Sequence, residues 1–333
     1  MRYQPTYRFD VIQDALYESE MLKAEQELEK YANYDTVTSF DDAKLFCVYY
    51  LAENPRASVV FVHGFKEFTK KYCELALYFL QMGYNVFLYD QRGHGLSHRE
   101  TEDETVIHIN RFEDYVEDLH CVIQTVVLPQ SQKIPVYLYA HSMGGAVALL
   151  YLSAHNETVK KALLSAPMVY PVCMSLPRKV LRFLVKKNAG KDGWTAKSTE
   201  NAFFDPNQKY IYSSDLSECR FKRILNYRIA EPKYQYSTAS HRWNYEALGV
   251  IEKLFDKKNL RQIHAEIFMV SAGQDTVVEN KPQQKLAKQL KCKFKCLEHA
   301  KHSLYTQKDT DLQAYLEKVF AFFDSDRKGS VTS

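Results

Sequence analysis

A serine stands between small residues in Ala140-His141-Ser142-Met143-Gly144. Upstream, Pro135-Val136-Tyr137-Leu138-Tyr139 is the β-branched and aromatic run of a buried strand. Downstream, Gly145-Ala146-Val147-Ala148-Leu149-Leu150-Tyr151-Leu152 continues as an apolar helix opened by two glycines. A chain that turns sharply from strand to helix at a serine holds that residue in a strained backbone and exposes its hydroxyl, as a nucleophile for acyl transfer requires. Such a turn needs small neighbours because the backbones pass close together. The usual pattern is Gly-x-Ser-x-Gly, and here Ala140 stands at the first glycine. Without partners, the same segment would be only a helix-capping loop.

A serine becomes nucleophilic when a base takes its proton and a third group orients that base. Two loops supply candidates. Ile267-Phe268-Met269-Val270-Ser271 reads as a strand and leads into Gly273-Gln274-Asp275, so Asp275 lies just beyond its end. Phe294-Lys295-Cys296-Leu297 reads as the next strand and leads into His299 and His302. His302 is the expected base and His299 the alternative. The oxyanion of the reaction needs preorganised N–H donors. Met143, directly after the serine, is expected to supply one, and Phe65, in the loop Val62-His63-Gly64-Phe65 after an early strand, the other. Gly64 lets that loop approach the substrate, and His63 is read as structural.

The elements that must position these residues alternate regularly. Residues 11–31 are acidic with a helical pattern. Residues 36–40 and 44–51 form a hairpin split by Asp41-Asp42, and Ser58-Val59-Val60-Phe61-Val62 is a buried strand. Tyr72, Leu75, Ala76, Phe79 and Leu80 mark one face of a helix closed by Gly83. A strand over 85–89, a helix from Phe112 to Val126 ending before Pro129, and a strand over 162–165 follow. The alternation stops after Ala166-Pro167 and resumes near Ile263. It then adds the late strands, a helix over 282–290 and a final helix over 311–323. Strands alternating with helices imply an α/β fold with a mostly parallel sheet covered on both faces. The interruption implies a helical cap inserted over the carboxyl edge, where ligands bind in such sheets.

Composition sets outer bounds. The 333 residues are 46% hydrophobic and 26% charged, enough for a large core, and the net charge of +3 is too small to argue for nucleic acid. Seven scattered cysteines argue for reduced thiols over a disulfide framework. No metal-ligand constellation or cofactor motif is present, and no protein partner is evident. No basic region followed by an apolar stretch opens the chain, and no apolar run approaches the roughly 20 residues of a membrane span. A cytoplasmic protein is the expectation, with the inner face of the cytoplasmic membrane as a peripheral site.

These motifs together resemble the lysophospholipase and monoacylglycerol lipase branch of the α/β-hydrolases, whose chain order is Ser, Asp, His. The resemblance is carried by Val62-His63-Gly64-Phe65-Lys66-Glu67, Gly83-Tyr84-Asn85-Val86-Phe87, Tyr89-Asp90-Gln91-Arg92-Gly93-His94-Gly95-Leu96-Ser97, the Ser142 segment through Gly144-Gly145, and Ala272-Gly273-Gln274-Asp275. Arg92, Gly93, His94, Gly95 and Gly144 join His63 and Gly64 as supporting-loop residues. In the cap, Asp215 through Arg220 and Tyr227 through Trp243 are similar to the bacterial membrane-associated lysophospholipases, although Ser240-His241 stand where a more glycine-rich segment is expected. The resemblance implies an α/β-hydrolase fold with an eight-stranded-type sheet. It implies an N-terminal helical appendage over 1–34, a core over 35–168 and 246–333, and a cap over 169–245. The activity it implies is hydrolysis of the acyl ester of a lysophospholipid through an acyl-enzyme, with Ser142, Asp275 and His302 as the triad.

Monoacylglycerol lipase or general carboxylesterase activity would use the same triad. An aminopeptidase would need cap carboxylates, for which Glu200, Glu218 and Glu231 are available. A non-catalytic binding protein would be expected to have lost triad members. In the cap, Arg178, Lys179, Arg182, Lys186, Lys187, Lys191 and Lys197 interleave with Leu176, Val180, Leu181, Phe183, Leu184 and Val185. A basic, apolar helix over 176–191 can lie on an anionic membrane. The alternative is a cap helix that packs its apolar face on the core and leaves its lysines in water.

Overall fold

The computed structural model describes residues 1–172, 176–211 and 216–327. Helix α1 (Tyr17–Glu29) precedes a hairpin of β1 (Asn33–Thr38) and β2 (Lys44–Tyr50), then β3 (Ser58–Val62), α2 (Cys73–Gln81) and β4 (Asn85–Tyr89). Next come α3 (Glu113–Val122), a π-helical turn over Ile123–Val127, and α4 (Leu128–Ser131). Strand β5 (Val136–His141), α5 (Met143–Ala154) and β6 (Val159–Ser165) complete the first half. The interruption holds α6 (Arg178–Asp192), α7 (Glu218–Ala230), α8 (His241–Leu254) and α9 (Lys257–Arg261). The chain closes with β7 (Glu266–Ala272), α10 (Asn280–Leu290), β8 (Lys293–Leu297) and α11 (Asp309–Phe323).

The eight strands form one sheet in the order β1-β2-β4-β3-β5-β6-β7-β8. Only β2 runs against its neighbours; β4 through β8 are joined by parallel pairings. Strands β3, β4 and β5 are buried along their whole length, as continuous apolar runs covered on both faces must be. Strand β3 shows the division of the core. Val60 and Val62 face a cluster with residues of α3, α5, α8 and α10, while Val59 and Phe61 face one built with α1, α2 and α11. Burying side chains of this size contributes about 1.5–3 kcal/mol each.

Three features differ in detail from the sequence reading. The helix expected to stop before Pro129 continues through it to Ser131, because the π turn loosens the backbone just upstream. The expected cap boundary at 245/246 falls inside α8, whose Trp243, Ala247, Val250 and Leu254 lie on one face and pack into the core as a unit. Finally, α1 buries Tyr17, Met21, Ala24 and Leu28 in the sheet-facing core and reaches the cap. There Arg223 of α7 meets Glu18 at 2.6 Å and Glu25 at 2.7 Å. The buried Arg220 joins Asp14 at 2.7 Å to Glu74 at 2.6 Å, fastening α7 to α2.

Candidate active site

Ser142 adopts φ 50° and ψ −118°, the left-handed strain expected where a strand breaks into a helix. Its backbone is fixed on every side. The N–H donates to Ser165 O at 3.0 Å, and its carbonyl accepts from Gly145 at 2.9 Å and Met168 at 2.8 Å. The helix that follows starts hard against the end of β3. A Cβ on Gly144 would lie 2.0 Å from Val62 O, which is backbone and cannot move aside. Ala140 has no such conflict: it is fully buried in β5, paired with Val62 and Leu164.

The loops after β7 and β8 meet this turn. They press together so closely that a Cβ on Gly273 would lie 2.3 Å from Glu298 O, and Gln274 N–H donates to Ala300 O at 2.9 Å. This contact sets Asp275 beside His302. Asp275 Oδ2 lies 2.8 Å from His302 Nδ1, and His302 Nε2 lies 2.8 Å from Ser142 Oγ. The carboxylate side chain is wholly enclosed, and its other oxygen accepts from Val277 N–H at 2.8 Å and Val278 N–H at 2.9 Å. An acid fixed this way dictates that His302 carries its proton on Nδ1 and presents the Nε2 lone pair to the serine. His299 is exposed in the turn after β8 and belongs to no such chain.

The loop after β3 lies against the serine. A Cβ on Gly64 would come within 3.1 Å of Ser142 Cβ, so the residue before Phe65 lies against the serine. Met143 N–H opens α5, among the helical donors that lack an intrahelical acceptor. The Phe65 ring packs on Trp243 of α8 at 4.2 Å and on His94 at 5.9 Å, and Lys66 Nζ donates to Ser237 O, shortly before α8, at 2.6 Å.

Glu67, quoted above only as part of a motif, is the residue that holds this loop. It is buried and accepts from Gly64 N–H at 2.6 Å, Tyr72 Oη at 2.6 Å, Tyr305 Oη at 2.5 Å and Lys71 Nζ. Burial alone would raise its pKa, but the Lys71 ammonium and these donors hold it well below the carboxylate range. No spacing in the sequence marks an acid as buried. The nearest hint is Lys71 at i+4.

The other expected residues support rather than touch the serine. His63 accepts Gln91 N–H at Nε2 and donates from Nδ1 to Gly64 O, and burial pushes its pKa down, so it stays neutral. His141 donates from Nδ1 to Ser165 O, and burial pushes it down to about 3. His94 is buried among His63, Phe65 and Tyr236 and is also held neutral by burial. Arg92 sits away from the triad, where it grips Asp118 at 2.7 Å through both Nε and Nη2 and reaches Asp41 and Glu100. Gly93 and Gly95 take φ +74° and +51°, and a Cβ on Gly95 would collide with Asp90, which pins both Thr69 and Leu96 N–H groups. Ser240, out of place by resemblance, caps α8 by accepting Trp243 N–H and contacts His108 Nδ1 at 2.9 Å. Asp215 lies outside the described residues.

Known proteins are similar to this chain in sequence and fold. Residues 53–309 match the Hydrolase_4 family, described as "Serine aminopeptidase, S33". The chain is 27% identical over 272 residues to a probable lysophospholipase L2 of Haemophilus influenzae, covering 81% of this chain and 84% of that one. It is 28% identical to lysophospholipase L2 of Escherichia coli K12, covering 73% and 71%. A solved structure of a soluble variant of the Saccharomyces cerevisiae monoglyceride lipase superposes with a TM-score of 0.68 at 19% identity, over 89% of this chain and 96% of that one. This chain belongs to the Hydrolase_4 family of α/β-hydrolases and is a serine hydrolase of the lipase and esterase type.

Proposed function

We propose that this protein hydrolyses the single acyl ester of lysophospholipids, with Ser142 as nucleophile, His302 as general base and acid, and Asp275 as the group that orients it. The observation that carries the reading is the unbroken 2.8 Å and 2.8 Å chain from Ser142 Oγ through His302 to Asp275 on a strained turn. His302 Nε2 takes the hydroxyl proton as Oγ attacks the ester carbonyl, and Phe65 and Met143 N–H groups receive the charge on oxygen. The C–O bond then breaks, and the glycerophosphodiester alcohol leaves with the proton from His302. Water, deprotonated in turn by His302, attacks the acyl-Ser142 ester and releases fatty acid. Asp275 keeps the imidazole in one tautomer and stabilises its cation throughout.

The lysophospholipid assignment is supported by the two bacterial relatives, and the same site would also cleave monoacylglycerols. Amide cleavage of an amino-terminal residue would need a carboxylate to bind the amine. Glu218 instead pairs with Lys222 at 2.7 Å, Glu231 accepts Lys233 N–H at 3.0 Å, and Glu200 is exposed. The test is the specificity constant of purified enzyme for lysophosphatidylcholine, lysophosphatidylethanolamine, monoacylglycerols and an aminoacyl amide, with Ser142→Ala beside it. The lysophospholipids should lead the panel and the variant should lose turnover while remaining folded. A lead by monoacylglycerols or the amide overturns the substrate, and retained turnover overturns the nucleophile.

A further inference from the structure

The helices inserted between β6 and β7 hold a cleft lined by none of the triad residues. Helices α6 and α8 pack along one another and leave an open space of about 270 Å³. Its walls carry four cations, Arg178, Lys179, Arg182 and Lys186, against one carboxylate, Glu252. That carboxylate is already committed, since Arg178 Nη2 binds it at 2.5 Å and Arg178 Nη1 donates to Leu248 O at 3.0 Å.

Arg182 is built into place by packing and not by a close ion pair. Its guanidinium lies 4.1 Å over the Tyr245 ring. It fills the space left by Gly249 in the middle of α8, where a Cβ would come within 2.9 Å of its Nη2. A glycine inside a helix weakens that helix, and here the room it leaves is occupied by a cation. Arg182 Nε is buried with no acceptor, and among the described residues no ion pair is made by Arg182, Lys179 or Lys186. A guanidinium held by packing and free of any direct ion pair suits a phosphodiester, whose oxygens its fork matches.

The surroundings select among sources of phosphate. Of the fifteen residues of α6 only Ala189 is buried; Leu181 and Val185 on the same face are half-buried, and the rest of its apolar side chains stay in water. Phe183 beside the cleft is 65% exposed, and Leu176, Val180 and Leu184 are exposed on the same segment. Free phosphate has no use for apolar side chains in water; a lipid surface has.

We propose that this cleft binds the head-group phosphate of an anionic phospholipid while the apolar side chains of α6 enter the bilayer surface, docking the cap onto the membrane. From the preceding reading it takes only that the substrate is a lipid. The test sediments the protein with vesicles of phosphatidylcholine alone or with about 30% phosphatidylglycerol. Preference for the anionic vesicles is expected. Combined Lys179→Gln, Arg182→Gln and Lys186→Gln should weaken binding roughly fivefold per charge removed, the weight of one basic residue near an anionic surface. Lys187→Gln with Lys191→Gln, on the same helix but outside the cleft, should weaken it clearly less per charge. Phe183→Ser, at an exposed position, should also lower binding, and turnover of a soluble short-chain ester should be unchanged in every variant. Equal loss per charge from the two cation sets, or no anionic preference, overturns the cleft. Inorganic phosphate that raises the melting temperature of wild type but not of the triple variant would make it a free-phosphate site and overturn membrane docking. If wild type cleaves no ester, the hydrolase reading fails while sedimentation still decides the docking.

Discussion

Glu67 accepts the Gly64 N–H at 2.6 Å, so a buried acid three residues further on tethers the loop that packs on Ser142 through Gly64. The same carboxylate receives Tyr305, three residues past His302, at 2.5 Å. One negative charge thus fixes the loop after β3 and the histidine loop with respect to each other, although it contacts neither Ser142 Oγ nor the His302 ring.

Replacing Glu67 by Gln should therefore damage both stability and turnover. It strands Lys71 in a site where breaking a buried pair costs about 3–5 kcal/mol. Tyr305→Phe removes one hydrogen bond and should cost only about 1 kcal/mol. Denaturant unfolding measures the difference, and similar values for the two variants would mean that Glu67 contributes merely one bond among several.

Asp275→Asn should leave the fold intact and lower kcat by about 10⁴-fold, because the amide favours the wrong imidazole tautomer. His299→Ala should leave steady-state turnover unchanged, in keeping with its exposed position in the turn. A strong loss from the second substitution would transfer the base from His302 to His299.

Gly144→Ala should abolish soluble expression or activity, since its methyl would be driven into Val62 O. Ala140→Gly restores the commoner pattern yet should leave kcat/KM within about twofold and reduce stability by about 0.5–1 kcal/mol, the usual effect of glycine in a strand. A large gain in kcat would show instead that Ala140 restrains the nucleophile turn.

Stability should fall as pH drops below about 6.5, the ordinary histidine value. His141 is pushed down to about 3 by burial, and burial also lowers His63 and His94. Between pH 6.5 and 3 the unfolded chain binds a proton at His141 and the folded chain does not, and His63 and His94 act in the same direction below 6.5, so unfolding is favoured as pH falls. Urea midpoints across this range should decline, and His141→Gln should flatten the decline. An identical slope in that variant would assign the effect to His63, His94 and the carboxylates instead.

Much of this protein is legible along the chain because the signals are local. Apolar runs mark β3, β4 and β5, the spacing of Tyr72, Leu75 and Phe79 marks α2, and a serine between small residues marks the nucleophile turn. Asp275 and His302 are readable because each follows directly on a strand, and strand ends in a parallel sheet converge on one edge. What the chain alone does not determine is set by contacts between distant segments. Burial selects His302 over His299, turns Glu67 into a hinge-pin between two loops, and carries α8 across the expected cap boundary into the core. The cap shows the same rule. Sequence places cations and apolar residues together over 176–191, but only the packing of α6 on Gly249 and Tyr245 of α8 leaves Arg182 fixed without a direct ion pair. Charge is a property of residue type, whereas desolvation and pairing depend on which neighbours the fold supplies.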